Sequence, residues 1–401
     1  MTATLQPAPA SPAPTALPPV IYVLTAGTFL MGTTEFVVAG LLTSVSADFT
    51  VSVAQAGLAI TVFAIGMIVG APSMALATLR LPRRVTLTAA LVVFAAGHAI
   101  GALTESFGVL LGTRFVTAVA TGAFWAVASV AAVDAAGPRI RTRALGIVLG
   151  GGMLANVLGV PLGAFIGQLI GWRGTFWLLT ALAAALALAV ARMVPPASSS
   201  GTVPSVRAEL ASLRSGRLWL VLATCAMVTG GTLSIYSFIS PILTAGAGIP
   251  ERWVPFALMG FGLAALVGSI LGGRMGDSRP LATPVLTAVA TLVIALALLL
   301  LPSQPALVLI LFVVLGLVGL SSNPVLVGLA NRYGGEASTL ATSMPTAIFN
   351  LGTAIGTAFA GAALSSGLGE RGPLLVGAVG AALVLVPLAL LVLRERGLRR
   401  V

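Results

Sequence analysis

The chain has 401 residues, of which 58% are hydrophobic and only 8% charged. Soluble proteins carry about 25% charged residues, so a soluble fold of this length is excluded and a lipid bilayer is the expected partner. The net charge of +11 sits entirely on Arg, in short groups between long apolar runs, which is a membrane-topology pattern and not the basic face of a nucleic-acid binder.

The absence of Lys removes the P-loop lysine and Schiff-base chemistry. One His and one Cys leave no HExxH zinc site, no Cys-based metal site and no disulfide within the chain. No metal, cofactor or enzymatic activity is expected.

Residues 1–19 are rich in Pro and Ala, carry no side-chain charge, and read as a disordered cytoplasmic tail without the basic region of a signal peptide. Twelve apolar runs of about 20 residues follow. They lie near 20–43, 54–79, 84–104, 108–133, 144–168 and 173–194, then 218–243, 253–275, 281–301, 305–328, 338–364 and 373–393. The expected fold is an all-α membrane protein of twelve transmembrane helices in two pseudo-symmetric six-helix bundles, 20–194 and 218–393. Between them, 195–217 is the longest polar stretch and the natural cytoplasmic linker, and 206–213 is expected to form a short amphipathic surface helix. A basic cytoplasmic tail, 394–401, closes the chain. With both termini in the cytoplasm, 17 of the 21 Arg residues fall on the inner side, as the positive-inside rule requires.

The halves echo each other. Gly32-Thr33-Thr34-Glu35 in the first run parallels Gly231-Thr232-Leu233-Ser234 in the seventh at an offset of 199, and Asn156 parallels Asn350 at 194. Parallel six-helix repeats of this kind recur among transporters.

Ionisable groups within apolar runs are functional candidates by default. Here they are Glu35, His98 and Arg114, all in the first half. At about 1.5 Å per residue they share one level, roughly 9–12 Å below the outer surface, which suggests a single polar site. Glu35 reads as a proton carrier, or as the permanent partner of Arg114 in an ion pair. Arg114 either tunes Glu35 and relays protons or satisfies backbone carbonyls within the bundle. His98, in Ala96-Gly97-His98-Ala99, reads first as an interhelical hydrogen-bonding residue and second as a relay. Ser234 stands in the repeat where Glu35 does, so the second half is expected to supply polar and apolar contacts without charge. Trp172, Trp219 and Trp253 fall near run ends as interface anchors. Trp125, eleven residues after Arg114, shares its helical face.

Together these residues resemble the drug:proton antiporter branch of the major facilitator superfamily over nearly the whole chain, and within it the bacterial chloramphenicol-resistance exporters. The resemblance rests on Gly32-Thr33-Thr34-Glu35-Phe36, on Arg80, Arg83 and Arg84 after the second run, and on Arg114 with Gly122. It rests also on Gly159-Val160-Pro161-Leu162-Gly163 in the fifth run, and on Phe349-Asn350-Leu351-Gly352. The loop after the second run departs from the family pattern, with Ala75, Leu79 and Pro82 at its Gly, Asp and Gly positions. The second-half loop keeps Gly273 and Asp277.

The resemblance implies alternating access by two rocking halves. Proton coupling falls to Glu35 and Arg114. Gating falls to Arg80, Arg83 and Arg84, to Gly159, Pro161 and Gly163, and to Gly273 and Asp277. A central cavity between helices one, four, five, seven, ten and eleven is expected to be lined in the first half by Met31, Glu35, Ala39, Thr121, Trp125 and Asn156. In the second half the expected lining is Ser234, Tyr236, Phe238, Asn323, Thr346 and Asn350. The expected activity is proton-coupled export of a small amphipathic molecule across the bacterial inner membrane by a monomer, with chloramphenicol or a related drug as the leading substrate. The alternatives are a sugar or nucleoside exporter of the same fold and, in another class, a non-transporting membrane sensor or scaffold.

Overall fold

The computed structural model describes residues 17–77, 81–137, 140–195, 215–301, 304–334 and 339–398, except the side chains of 75–77, 339–343 and 396–398. Arg80, most of the N-terminal tail, the linker 196–214 with its expected surface helix, and 399–401 lie outside the described residues.

The described residues form helices joined by short turns, with no strand among them. Membrane-length apolar helices run over Pro19–Gly40 (α1), Val53–Met74 (α2), Arg83–Leu103 (α3) and Phe107–Ala136 (α4). Then comes one continuous segment, Arg141–Met193, of 53 residues. At about 1.5 Å per residue that is nearly 80 Å, far beyond a hydrocarbon core of about 30 Å. It is broken at Ile170 (φ −127°, ψ 16°) and Gly171 (φ 78°, ψ 159°), and so makes two crossings, α5 before the break and α6 after it. Gly171 is required there by its left-handed φ, because no atom lies near the position its Cβ would take. The second half contains Gly216–Ser237 (α7), Glu251–Ser278 (α8), Ala282–Leu300 (α9), Pro305–Gly334 (α10), Met344–Leu364 (α11) and Arg371–Glu395 (α12). Twelve crossings result among the described residues, each overlapping its predicted run.

The two halves pack alike. In the first, α2 lies on α4, α3 on α4 and α6, and α1 on α5. In the second, α8 lies on α10, α9 on α10 and α12, and α7 on α11. Small residues at seams let backbones touch, which is how helices associate where lipid offers no hydrophobic drive. A Cβ on Gly70 would meet the Val119 Cα at 2.6 Å, and one on Gly268 would collide with the Leu317 carbonyl. These two seams are the same seam, repeated at an offset of 198. Large side chains on the perimeter face outward, among them Leu103, Leu169, Leu300 and Phe359, each at least 64% exposed. A water-soluble surface would not carry them.

The halves meet along α2 with α11 and α5 with α8. One end of the bundle carries Arg83, Arg141, Arg217, Arg332 and Arg394; the other is poor in Arg. Every hydrogen bond between halves among the described residues lies toward the arginine-poor end. Thr61 and Thr357 share a hydroxyl bond of 2.8 Å, Thr43 donates to Glu251 Oε1 at 2.6 Å, and Gln168 Nε2 donates to the Glu251 carbonyl at 2.8 Å. Phe238 closes this seam by lying over Gly57 and Gly361.

Candidate functional site

The site begins where α1 loses its regular ladder. Its α-helical turns stop at Val37 and tighten into a 3₁₀ turn, Val38–Gly40. Carbonyls near a helix end need partners from elsewhere. Arg114, fully buried on α4, supplies one: its Nη2 donates to the Thr34 carbonyl at 2.9 Å. Its Nη1 donates to Thr34 Oγ1 at 2.8 Å and its Nε to the Ala59 carbonyl of α2 at 3.3 Å. The guanidinium plane lies over the Phe63 ring, 4.2 Å from the centroid. One cation therefore ties α1, α2 and α4 together without a carboxylate.

Thr34 carries the network onward. His98 Nδ1 faces the Phe94 carbonyl at 2.8 Å, and a carbonyl only accepts, so Nδ1 bears the proton. Nε2 of the neutral ring is then the acceptor, and it receives the Thr34 hydroxyl proton across 2.6 Å. The chain runs from Arg114 through Thr34 and His98 to the Phe94 carbonyl, across α4, α1 and α3. Phe94 and Phe176 flank the imidazole at 4.1 and 5.1 Å.

Glu35 sits one residue beyond this hub. It is half-buried and has neither hydrogen-bond nor ion-pair partner among the described residues, although Arg114 and the Tyr236 phenol are within electrostatic reach. The permanent Glu35–Arg114 ion pair, one of the two sequence readings, is not formed. Beside it, the Phe36 ring meets Tyr236 edge-on at 5.8 Å, and Tyr236 leads through Phe261 to Phe312 at 4.7 and 5.0 Å. This aromatic row crosses from the first half into the second.

On α5, a π-turn over Ala155–Gly159 precedes Pro161. Proline cannot donate, and the Val160 N–H reaches back to the Ala155 carbonyl, so the ladder is reset through one wide turn. Gly159 leaves room for the Thr33 hydroxyl and Gly163 for Val37, so α5 lies tight against α1. The bulge pushes the Asn156 carbonyl onto Gly262 of α8, and the half-buried Asn156 amide has no hydrogen-bond partner among the described residues.

The remaining expected lining residues divide. Met31 and Thr121 are buried together, with Thr121 Oγ1 3.3 Å from the Met31 sulfur. Trp125 packs on Gly152, and its indole N–H is buried without a partner among the described residues. Ala39 is buried in the 3₁₀ turn, and Tyr236 and Phe238 are buried at the seam between halves. Ser234 turns toward α12, donating to its own Gly231 carbonyl at 2.7 Å and lying 3.5 Å from that of Pro373. Asn323 sits at a break in α10 with its Oδ1 unpaired among the described residues, and Asn350 donates to the carbonyl of the exposed Thr346 at 3.1 Å.

Among the gating residues, Arg83 forms an ion pair with Asp134 of α4 and Arg84 is half-buried next to it in sequence. Gly273 has open space around it, and Asp277 is exposed. Trp219 and Trp253 are half exposed, as interface anchors are. Trp172 is not: it is 3% exposed and donates to Asp48 at 2.9 Å. Sequence reasoning missed Thr34 as the hub; the one pointer was its place beside Glu35 in Gly32-Thr33-Thr34-Glu35.

Two six-helix halves around unpaired intramembrane polar groups make a transporter architecture, and the comparisons decide the family. Residues 24–333 match the family model described as Major Facilitator Superfamily. The chain belongs to the Major Facilitator Superfamily. It is 35% identical over 361 residues to a "Chloramphenicol resistance protein" of Streptomyces lividans, covering 89% of this chain and 92% of the relative. It is 32% identical to the "Inner membrane transport protein YdhP" of Escherichia coli K12, covering 90% and 93%. In fold it is similar to a bacterial homologue of the human lysosomal transporter Spinster in an inward-facing, unoccupied conformation. There the TM-score is 0.74 at 16% identity, with 94% and 96% of the two chains covered. This facilitator is thus a multi-pass membrane transporter of small molecules, with transporters and not enzymes as its relatives.

Proposed function

We propose that this transporter is a proton-coupled antiporter that exports chloramphenicol or a related small amphipathic drug from the cytoplasm. The observation that carries the proposal is the free carboxyl of Glu35, held in the membrane beside a cation that is already occupied. A carboxyl without a committed partner is available to bind and release a proton. Arg114, engaged by Thr34 and Ala59, sets the local field without quenching the acid.

In this reading the arginine-rich end and both termini face the cytoplasm, so the seam of Thr43, Thr61 and Phe238 closes the outer side. Asn156, the Tyr236 phenol and the aromatic row then offer an amphipathic drug polar anchors and ring faces. Proton binding at Glu35 from outside and drug binding from inside exclude one another, and each favours the opposite closure. One charge crossing 100 mV yields about 2.3 kcal/mol, and each pH unit about 1.4 kcal/mol, so one or two protons sustain a steep gradient. The transporter works as a monomer, with one site between its own halves.

The test is labelled chloramphenicol accumulation in cells stripped of their own exporters, with and without a protonophore, for wild type and Glu35→Gln. Wild type is expected to keep accumulation low until the protonophore is added, and Glu35→Gln to accumulate drug throughout. Equal accumulation in wild-type and empty cells would remove this substrate; an active Glu35→Gln would remove the proton carrier.

A further inference from the structure

At the arginine-rich end of the second half, a cleft of about 570 Å³ opens between the start of α7 and the ends of α10 and α12. It is lined by Ser215, Gly216, Arg217, Arg332, Tyr333 and Arg394. Three guanidinium groups converge here. Arg217 and Arg332 approach the Tyr333 ring at 5.7 and 5.9 Å, and the Arg394 Nη1 lies 2.7 Å from where a Gly216 Cβ would be. None of the three has a carboxylate within ion-pairing distance among the described residues; the nearby Glu395 carboxylate accepts the Tyr333 hydroxyl, which leaves one negative charge beside three positive ones.

The fourth positive element is α7 itself, a helix of 22 residues whose first turn faces this cleft. Ser215 spends its hydroxyl capping the Leu218 N–H, and the positive end of the α7 dipole lies at this cleft. Three cations gathered at a positive helix end repel one another unless an anion lies among them. Two other Arg among the described residues are ion-paired, Arg83 with Asp134 and Arg173 with Asp48; what sets this cleft apart is that three Arg share it.

We propose that this cleft binds the phosphate of an anionic phospholipid headgroup. A phosphate diester fits the donor set, since guanidinium forks and free helix N–H groups are the usual partners of phosphate oxygens. A lipid is favoured over a free phosphate by position. Trp219, half exposed one turn deeper on α7, marks the headgroup level, and Leu390 and Leu393 line the outer face of α12 beside Arg394, 48% and 63% exposed, as a rail for acyl chains.

The experiment is native mass spectrometry of the full-length transporter in detergent, with phosphatidylglycerol, phosphatidylcholine or inorganic phosphate added at matched concentration. Wild type, Arg217→Gln/Arg394→Gln and the opposite-end control Arg252→Gln are compared, each taken from a monodisperse size-exclusion peak, with the single variants used if the double variant is not monodisperse. At about 1 kcal/mol per basic residue near the surface, the double variant should bind phosphatidylglycerol about 30-fold more weakly. Arg252→Gln should bind it as wild type does, and phosphatidylcholine and phosphate should give few adducts. The proposal is overturned if the double variant retains phosphatidylglycerol like wild type, if Arg252→Gln loses it equally, or if phosphatidylcholine or free phosphate binds as well.

Discussion

Replacing Thr34 with Val removes one hydroxyl and keeps the branched shape, so it isolates the hub of the polar network. Two buried groups then lose a partner at once, Arg114 Nη1 and His98 Nε2. In water-soluble proteins an orphaned buried group costs about 1–3 kcal/mol. Interhelical polar contacts in membrane proteins average only about 0.6 kcal/mol and reach about 1.7, because the unfolded chain in lipid also finds partners. His98 and Arg114 are each 1% exposed and one donor is charged, which places both contacts near the top of that range, for a total of about 3 kcal/mol. Arg114 keeps the Thr34 and Ala59 carbonyls and the Phe63 face, so the fold itself should persist.

The assay is reversible unfolding in mixed micelles for wild type, Thr34→Val, His98→Phe and the double variant. A coupling energy of about 1 kcal/mol or more between the two sites is expected. Thr34→Ser, which keeps the hydroxyl, should lose less than half as much as Thr34→Val. Additivity within about 0.3 kcal/mol, or a Thr34→Val loss below about 0.5, would refute the network as an energetic unit.

Other outcomes follow from the same structure. Arg173 joins Asp48, the Ala102 and Thr104 carbonyls and the Trp172 ring, so Arg173→Ala should cost about 2 kcal/mol in the same unfolding assay. Arg83→Ala, which breaks a half-exposed pair, should cost under about 1 kcal/mol. Gly262→Ala drives a methyl into the Asn156 carbonyl and should prise α5 from α8. Disulfide trapping between cysteines at positions 43 and 251, in a Cys225→Ser background, should then fall at least about fivefold, as a shift of about 1 kcal/mol or more in the closed state requires. Cys225 is fully buried, so a maleimide should label it only after unfolding in detergent.

The number and order of crossings were legible because hydropathy is set residue by residue, whereas the loopless passage from α5 to α6 at Ile170 and Gly171 was not. The shared level of Glu35, His98 and Arg114 was legible too, because helical rise is nearly constant. What connects them was not. Most membrane threonines return their proton to a carbonyl one turn back, as Thr33 does to Phe29 and Thr121 to Thr117. Nothing in composition distinguishes Thr34, which gives its proton to another helix. Ser234 shows a different limit. It was placed by an offset of 199, whereas the repeated glycine seam runs at 198, and one residue turns a side chain by about 100° around a helix. Tyr236 and Phe238 lie against the opposite half because the arginine-poor end is shut, a state that no sequence pattern encodes.

The break at Ile170 and Gly171 joins α5 to α6 with no loop between them. Such a joint has no slack. Any tilt of α5 as it parts from α8 is handed directly to α6, whose outward face carries Trp177, Leu182 and Leu188 into the surrounding acyl chains. A change in helix tilt alters how well the apolar length matches the local bilayer, at fractions of a kcal/mol per ångström. The thickness and stiffness of the host membrane are therefore mechanical loads on the α5–α6 lever, felt from outside the protein and remote from the carboxyl on α1.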